Sequence, residues 1–141
     1  MAYDSPMYVE MIKPMRVELT RIGFQELHTP EEVEQAFAKS GTTMVVINSI
    51  CGCAAGIARP AIRTALENGS KPDHLVTVFA GQDVDATAQA RTHFTGFASS
   101  SPSIAFLKDG KFISLIERHQ IEKHATQDVA NLVREAIAHI V

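Results

Sequence analysis

Cysteine is scarce in this sequence, with 2 in 141 residues. A single pair cannot build the disulfide framework on which small secreted folds rest, so a hydrophobic core must hold the chain together. Long apolar runs are missing as well. None approaches the roughly 18 residues that a membrane span requires. Nor is there an excess of positive charge: Lys and Arg total 13 against 16 for Asp and Glu, a formal net charge of -3. That argues against broad binding to nucleic acid or anionic membrane, both of which call for a basic surface. The opening residues, Met1-Ala2-Tyr3-Asp4-Ser5-Pro6, offer neither a basic segment nor an apolar core, and do not resemble a secretory signal. Repeats, low-complexity tracts and linker-like stretches are also lacking. What remains is 45% hydrophobic and 21% charged, the balance of a soluble protein. A single domain over residues 1–141 and a cytoplasmic location are expected. In the cytosol a thiol pair more often signals redox chemistry or metal than a structural staple.

The segments alternate in type. Met7, Met11, Met15, Leu19 and Ile22 recur at three- and four-residue steps, predicting an amphipathic helix from Met7 to Ile22 in which Pro14 marks a bend or a break. A second short helix runs to Lys39, with Thr29 as N-cap and Pro30 at its first position. Thr42 to Asn48 is a β-branched apolar run that fits a strand buried on both faces. An Ala-rich helix follows from Cys51 to Asn68, closed by Gly69. His74 to Ala80 reads as a second buried strand and Asp83 to Phe94 as a helix. Ile104 to Lys108 and Phe112 to Glu117 pair across an Asp109-Gly110 hairpin turn, and Thr126 to Ile140 closes the chain as a helix. A strand–helix–strand unit implies a right-handed parallel crossover, and the hairpin adds an antiparallel edge. The expected fold is therefore α/β and thioredoxin-like, a mixed central sheet of about four strands flanked by helices.

Both cysteines stand where a buried strand gives way to a helix. Helix-start N–H groups and the helix dipole stabilise an anion, so a cysteine at this junction should ionise more readily, and the thiolate is the nucleophile. The one-residue spacing suits neither regular geometry: side chains two apart diverge on a helix and reach the limit for a disulfide on a strand. Gly52, with its wide range of backbone angles, makes closure possible at some strain, and a strained pair is oxidising. Two plainer readings compete. The cysteines could be small buried hydrophobes. They could instead form a metal clip, although zinc usually takes about four ligands and the six histidines (His28, His74, His93, His119, His124, His139) show no metal spacing. No metal is expected.

The setting of the pair is Asn48-Ser49-Ile50-Cys51-Gly52-Cys53-Ala54-Ala55-Gly56-Ile57-Ala58-Arg59-Pro60. Together with Val78-Phe79-Ala80-Gly81-Gln82-Asp83, Ser100-Ser101-Pro102-Ser103, Leu107-Lys108-Asp109-Gly110-Lys111 and Ile116-Glu117-Arg118-His119-Gln120-Ile121-Glu122, it resembles the bacilliredoxin family of bacterial thioredoxin-like proteins. The likeness runs through nearly the whole chain. It implies removal of bacillithiol, the low-molecular-weight thiol some bacteria use in place of glutathione, from protein cysteines capped under oxidative stress. By this resemblance Cys51 attacks the mixed disulfide. Cys53 then resolves the adduct, or stands aside while free bacillithiol does so. No bound cofactor is implied. Bacillithiol is a co-substrate, and the partners are S-bacillithiolated clients and a recycling disulfide reductase. The resemblance also implies weak disulfide isomerase activity.

Pro102 occupies the place where thioredoxin-like folds put a cis-proline beside the cysteines, and a cis bond would expose backbone groups of Ser101 to an extended substrate. A trans proline that starts a strand is the alternative. The pattern also departs from ordinary thioredoxins. The strand from Thr42 to Asn48 carries no acidic residue, no tryptophan precedes Cys51, and Pro60 interrupts the helix. Arg59 and Arg63 lie four apart on one face, and one of them is expected to meet the carboxylates of bacillithiol's malate group unless both are simply solvated. The expected substrate-binding positions are Gly52, Ser101, Pro102 and Arg59. Glu117, Arg118 and His119 read equally well as a salt-bridged strand edge and stay outside the catalytic set. Two alternatives to the capped-protein reading remain: a protein disulfide isomerase, and a non-enzymatic Cys-Gly-Cys sensor or metal-binding module.

Overall fold

The computed structural model describes residues 5–67 and 69–141. Its elements in chain order are α1 (Pro6–Thr20), β1 (Gln25–Glu26), α2 (Pro30–Phe37), β2 (Thr42–Asn48), a π-helical turn (Ala54–Ala58), α3 (Arg59–Glu67), β3 (His74–Phe79), α4 (Val84–Arg91), β4 (Ser103–Lys108), β5 (Lys111–Ile116), α5 (Arg118–Ile121) and α6 (Thr126–Ala138). Asn68, where the sequence pattern ends the Ala-rich helix, lies outside the described residues, as do Met1 to Asp4 of the opening segment.

The strands form one mixed sheet in the order β1-β3-β2-β4-β5. β2 lies at its centre, parallel to β3 and antiparallel to β4. All seven β2 residues are buried, and they alternate between two cores as a period-2 strand must. Met44 and Val46 join Leu19 of α1, Ile62 and Ala65 of α3, and Val133 and Ile137 of α6. Val45 and Ile47 face the opposite way, into Val33 and Phe37 of α2 and Ala86 and Ala90 of α4. Burying each such aliphatic side chain is worth about 1.5–3 kcal/mol relative to leaving it in water. This double burial fixes the register of β2, and with it the direction in which the chain leaves toward Cys51.

Local chemistry sets several boundaries. Thr29 and Glu32 close a capping box at the start of α2, which satisfies two otherwise orphaned N–H groups. Asp109 (φ 50°) and Gly110 (φ 79°) both take the left-handed conformation in the β4–β5 turn, the geometry that matches the twist of a two-residue hairpin. Asp109 also ties the hairpin to the sheet, its carboxylate accepting from the Gly41 N–H at 2.8 Å.

Two expectations need correction. The sheet has a fifth strand, β1, which pairs in parallel with β3 through Gln25 and Glu26 and is too short to show a period. The stripe expected on α1 is also buried only in part: Leu19 joins the core, with Ile22 packed against it, but the methionines at its start do not. Ile12 and Leu19 are buried, whereas Met7 and Met11 are 72% and 44% exposed. Arg16 fixes α1 to the sheet instead: it makes two hydrogen bonds to the Asp83 carboxylate at 2.9 and 3.0 Å, one to Glu26 at 3.0 Å, and lies over the Phe79 ring.

Candidate active site

β2 ends at buried Asn48 and is followed by buried Ser49; their polar groups need partners at the edge of an apolar core. Asn48 Oδ1 accepts from the Ser49 N–H at 2.9 Å, and Asn48 Nδ2 donates to the Met15 carbonyl at 3.2 Å. The Ser49 hydroxyl in turn accepts from the Cys51 N–H at 3.0 Å. Arg59 completes the support. Its Nη1 donates to Asn48 Oδ1 at 2.9 Å and to the Ser49 carbonyl at 3.0 Å, and its Nε donates to Glu18 Oε2 at 2.9 Å. Arg59 is only 3% exposed. Its guanidinium therefore supports the turn beneath the site, three of its five donors being taken by Glu18, Asn48 and the Ser49 carbonyl, a structural role beside the substrate-binding one expected of it. Arg63, by contrast, is exposed.

Helix formation begins at the cysteines. The Cys51 carbonyl accepts from the N–H groups of Ala54 and Ala55 at 2.9 and 3.2 Å. One turn later the ladder opens into the π-helical segment. Pro60 has no N–H for the Gly56 carbonyl four residues back, and the Thr126 hydroxyl at the start of α6 donates to that carbonyl instead, at 3.3 Å. Pro60 thus produces a one-turn π bulge directly behind the thiols, a feature common at functional sites.

Both thiols are free and half-buried. Their sulfurs lie 2.6 Å apart, and the Cys53 N–H approaches Cys51 Sγ at 3.4 Å. With both thiols free, Gly52 is not among the glycines with positive φ. A Cβ added there would meet nothing within 4 Å. Gly52 is exposed, leaving open space beside both thiols.

The environment separates the two thiols in acidity. Burial pushes Cys51 up, but the Cys53 thiol, the Cys53 N–H, the positive charge of Arg118 and the Ala54 N–H together hold it below the ordinary thiol value. Burial also pushes Cys53 up, and the hydrogen bond and charge of Cys51 add to it, bringing Cys53 to about 11 despite Arg118. The pair thus consists of a thiolate-prone Cys51 and a Cys53 that stays protonated beside it. This is the asymmetry that a nucleophile and a waiting second thiol require.

The Ser101–Pro102 peptide is cis, and its place follows from register: Ser103 pairs with Ile47, so Ser101 and Pro102 lie across from Asn48 and Ser49 at the cysteine end of the sheet. Pro102 is buried and Ser101 half-buried. The Ser101 carbonyl accepts from Arg118 Nη1 at 3.4 Å, and the Ser100 hydroxyl accepts from the Arg118 N–H at 3.5 Å. The structure therefore brings together Cys51, Gly52, Cys53, Ser101 and Pro102, places Arg59 beneath them, and adds Arg118. The hairpin brings this segment back to the site without singling out Arg118 in the sequence. β5 returns antiparallel to β4, so the residues after Ile116 must come back beside those before Ile104.

Among the described residues no helix is long and apolar enough to cross a membrane, and no group of three or more His, Cys, Asp or Glu is placed to hold a metal ion.

Comparison with known proteins agrees with this geometry. Among solved structures, the thioredoxin of Fasciola hepatica superposes with a TM-score of 0.59 at 20% identity, over 84% of this chain and 100% of that one. The thioredoxin of Trypanosoma brucei brucei does so at 0.57 and 14% identity, over 84% and 90%. These show a thioredoxin fold. A family model described as disulphide isomerase matches residues 7–140. A bacilliredoxin of Geobacillus kaustophilus is 54% identical over 122 residues, 86% of this chain and 84% of its own. A second from that organism is 54% identical over 131 residues, 92% and 90%, and one from Staphylococcus haemolyticus is 52% identical over 121 residues, 86% and 83%. At that identity and coverage, this chain with its paired thiols at the end of β2 belongs to the bacilliredoxin family.

Proposed function

We propose that this thiol–disulfide oxidoreductase removes bacillithiol from capped cytosolic proteins, with Cys51 as the nucleophile and Cys53 as the resolving thiol. The observation that carries the reading is the pair itself: two sulfurs 2.6 Å apart, one pushed toward the thiolate and the other held protonated. The Cys51 thiolate attacks the bacillithiol sulfur of the mixed disulfide. A Cys51–bacillithiol disulfide forms, the bond to the client breaks, and the client sulfur leaves with the electron pair and takes a proton. One disulfide is exchanged for another with no net oxidation, so no bound cofactor is needed.

Capping changes the neighbour. Once Cys51 is in a disulfide its negative charge is gone, and with it the hydrogen bond and charge that help push Cys53 up. Cys53 then ionises more easily and is already within reach of Cys51 Sγ. It displaces bacillithiol as the free thiol and leaves a Cys51–Cys53 disulfide for a recycling reductase; free bacillithiol can instead release the cap directly. Gly52 leaves the approach open, and the Ser101 backbone borders the site.

The test is intact-mass spectrometry of Cys53→Ser after incubation with a bacillithiol-capped client. One bacillithiol on Cys51, with the client returned to its free thiol, is the expected result. A folded variant that takes up none refutes the reading. The family model's description favours a second reading, disulfide isomerisation by the same two thiols. Faster repair of a scrambled disulfide protein than release of bacillithiol by the wild type would make that the principal activity.

A further inference from the structure

The thiols have one cationic neighbour that the exchange chemistry above does not use. Arg118 lies at the start of α5, its side chain 45% exposed. It is the one residue whose positive charge acts on both Cys51 and Cys53 among the described residues. Its backbone and Nη1 meet Ser100 Oγ and the Ser101 carbonyl at 3.5 and 3.4 Å, and its Nε donates to Glu122 Oε2 at 3.1 Å. A guanidinium offers five donors in a rigid fork, and these contacts leave Nη2 without a partner among the described residues. Glu122 is itself 40% exposed. An ion pair so solvated is weak, and a ligand carboxylate can displace it at small cost.

We propose that Arg118 recognises a carboxylate on the low-molecular-weight thiol that caps the client, so that the site selects carboxylate-bearing caps over neutral or cationic ones. This rests on the reading that Cys51 attacks a capped protein. It also explains which sulfur is attacked, a choice thiol–disulfide exchange leaves open. A cap held by its carboxylate beside the Ser101 carbonyl presents its own sulfur, not the client's, to Cys51. The new bond then forms to the cap, the client departs as the thiolate and is protonated, and the client stays free.

The experiment uses one single-cysteine client peptide capped separately with three small thiols of matched length: mercaptopropionate (anionic), mercaptoethanol (neutral) and cysteamine (cationic). A fourth preparation carries bacillithiol. Release is measured as kcat/KM for the full-length wild type, Arg118→Ala and Arg118→Lys, at low salt and at 1 M salt. The expected wild-type preference for the anionic over the neutral cap is roughly fivefold, the size of one exposed ion pair. High salt should shrink it. Arg118→Ala should bring the three small caps to one rate, and Arg118→Lys should keep part of the order. Rates that fall equally for all caps in Arg118→Ala overturn recognition, because Arg118 then acts only through the reactivity of Cys51; so does a wild type indifferent to cap charge. A wild type that releases no cap, bacillithiol included, overturns the proposed function and this inference with it. Circular dichroism and the Cys51 alkylation rate report whether the variants fold, and Arg118→Lys keeps the test alive if Arg118→Ala does not.

Discussion

Arg59→Ala separates a supporting arginine from a substrate-binding one. The guanidinium donates to Glu18, Asn48 and the Ser49 carbonyl, and the residue is 3% exposed. Truncation removes these three bonds and the aliphatic stem beneath the active-site turn. Glu18 is 42% exposed, so water takes over its carboxylate cheaply. Asn48 Oδ1 keeps the Ser49 N–H. The Ser49 carbonyl loses its donor while buried, which costs about 1–3 kcal/mol, and the lost packing of the stem adds to that. The total should be about 2–4 kcal/mol, which at ~2–4 °C per kcal/mol for a domain of this size lowers Tm by roughly 5–15 °C. Cys51 should also lose reactivity, because its N–H is held by Ser49, whose carbonyl Arg59 anchors. That loss should be the same for charged and uncharged disulfides. Thermal denaturation and exchange rates on bacillithiol-capped and neutral-capped peptides are the assay. An unchanged Tm with a loss confined to the bacillithiol cap would refute the reasoning and return Arg59 to the substrate.

Three further predictions concern the two thiols and the glycine between them. Alkylation of reduced protein by iodoacetamide should begin at Cys51, with an inflection below the ordinary thiol value, and reach Cys53 only after Cys51 has reacted, because the Cys51 thiolate helps hold Cys53 protonated; Cys53→Ala, which removes a hydrogen bond to the Cys51 thiolate, should move the Cys51 inflection upward. The linked stability has opposite signs at the two sites: the contribution of Cys51 is lost as pH falls through its lowered value, and that of Cys53 is lost as pH rises toward about 11. Gly52→Ala should leave folding intact or stabilise it by about 0.4–1 kcal/mol, since its Cβ meets nothing within 4 Å; slower cap transfer with an unchanged Tm and Cys51 alkylation rate would place the defect in substrate approach, whereas a drop in Tm would show a strained backbone at Gly52.

How far the sequence could be read depended on how local each cause is. Thr42 to Asn48 is legible as a strand because seven successive residues bury both faces, and Thr29 with Glu32 caps α2 through groups three residues apart. The Asp109-Gly110 turn is equally local. β1 left no trace because its two residues are held by backbone pairing to β3 alone. Met7 and Met11 stay exposed because an unbranched apolar side chain tolerates water at a helix surface, while Leu19 of the same stripe and Ile12 beside it carry the contact. Arg59 shares a nominal helix face with Arg63, yet the π turn forced by Pro60 lies just before it, and its partners Glu18, Asn48 and Ser49 come from other elements. Arg118 shows most clearly where local reading stops. The β4–β5 ladder contains an irregularity between Phe106 and Leu107. Before it, Leu107 faces Phe112; after it, Phe106 faces Ser114 and Ile104 faces Ile116. That one-residue slip, which sends every later side chain to the opposite face, brings Arg118 rather than Glu117 level with Pro102. With Glu117 in that place the thiols would face a negative charge, and Cys51 would be held back from the thiolate. Part of the positive charge that favours the Cys51 thiolate therefore reaches the site through a bulge that no hydrophobic period in β5 records.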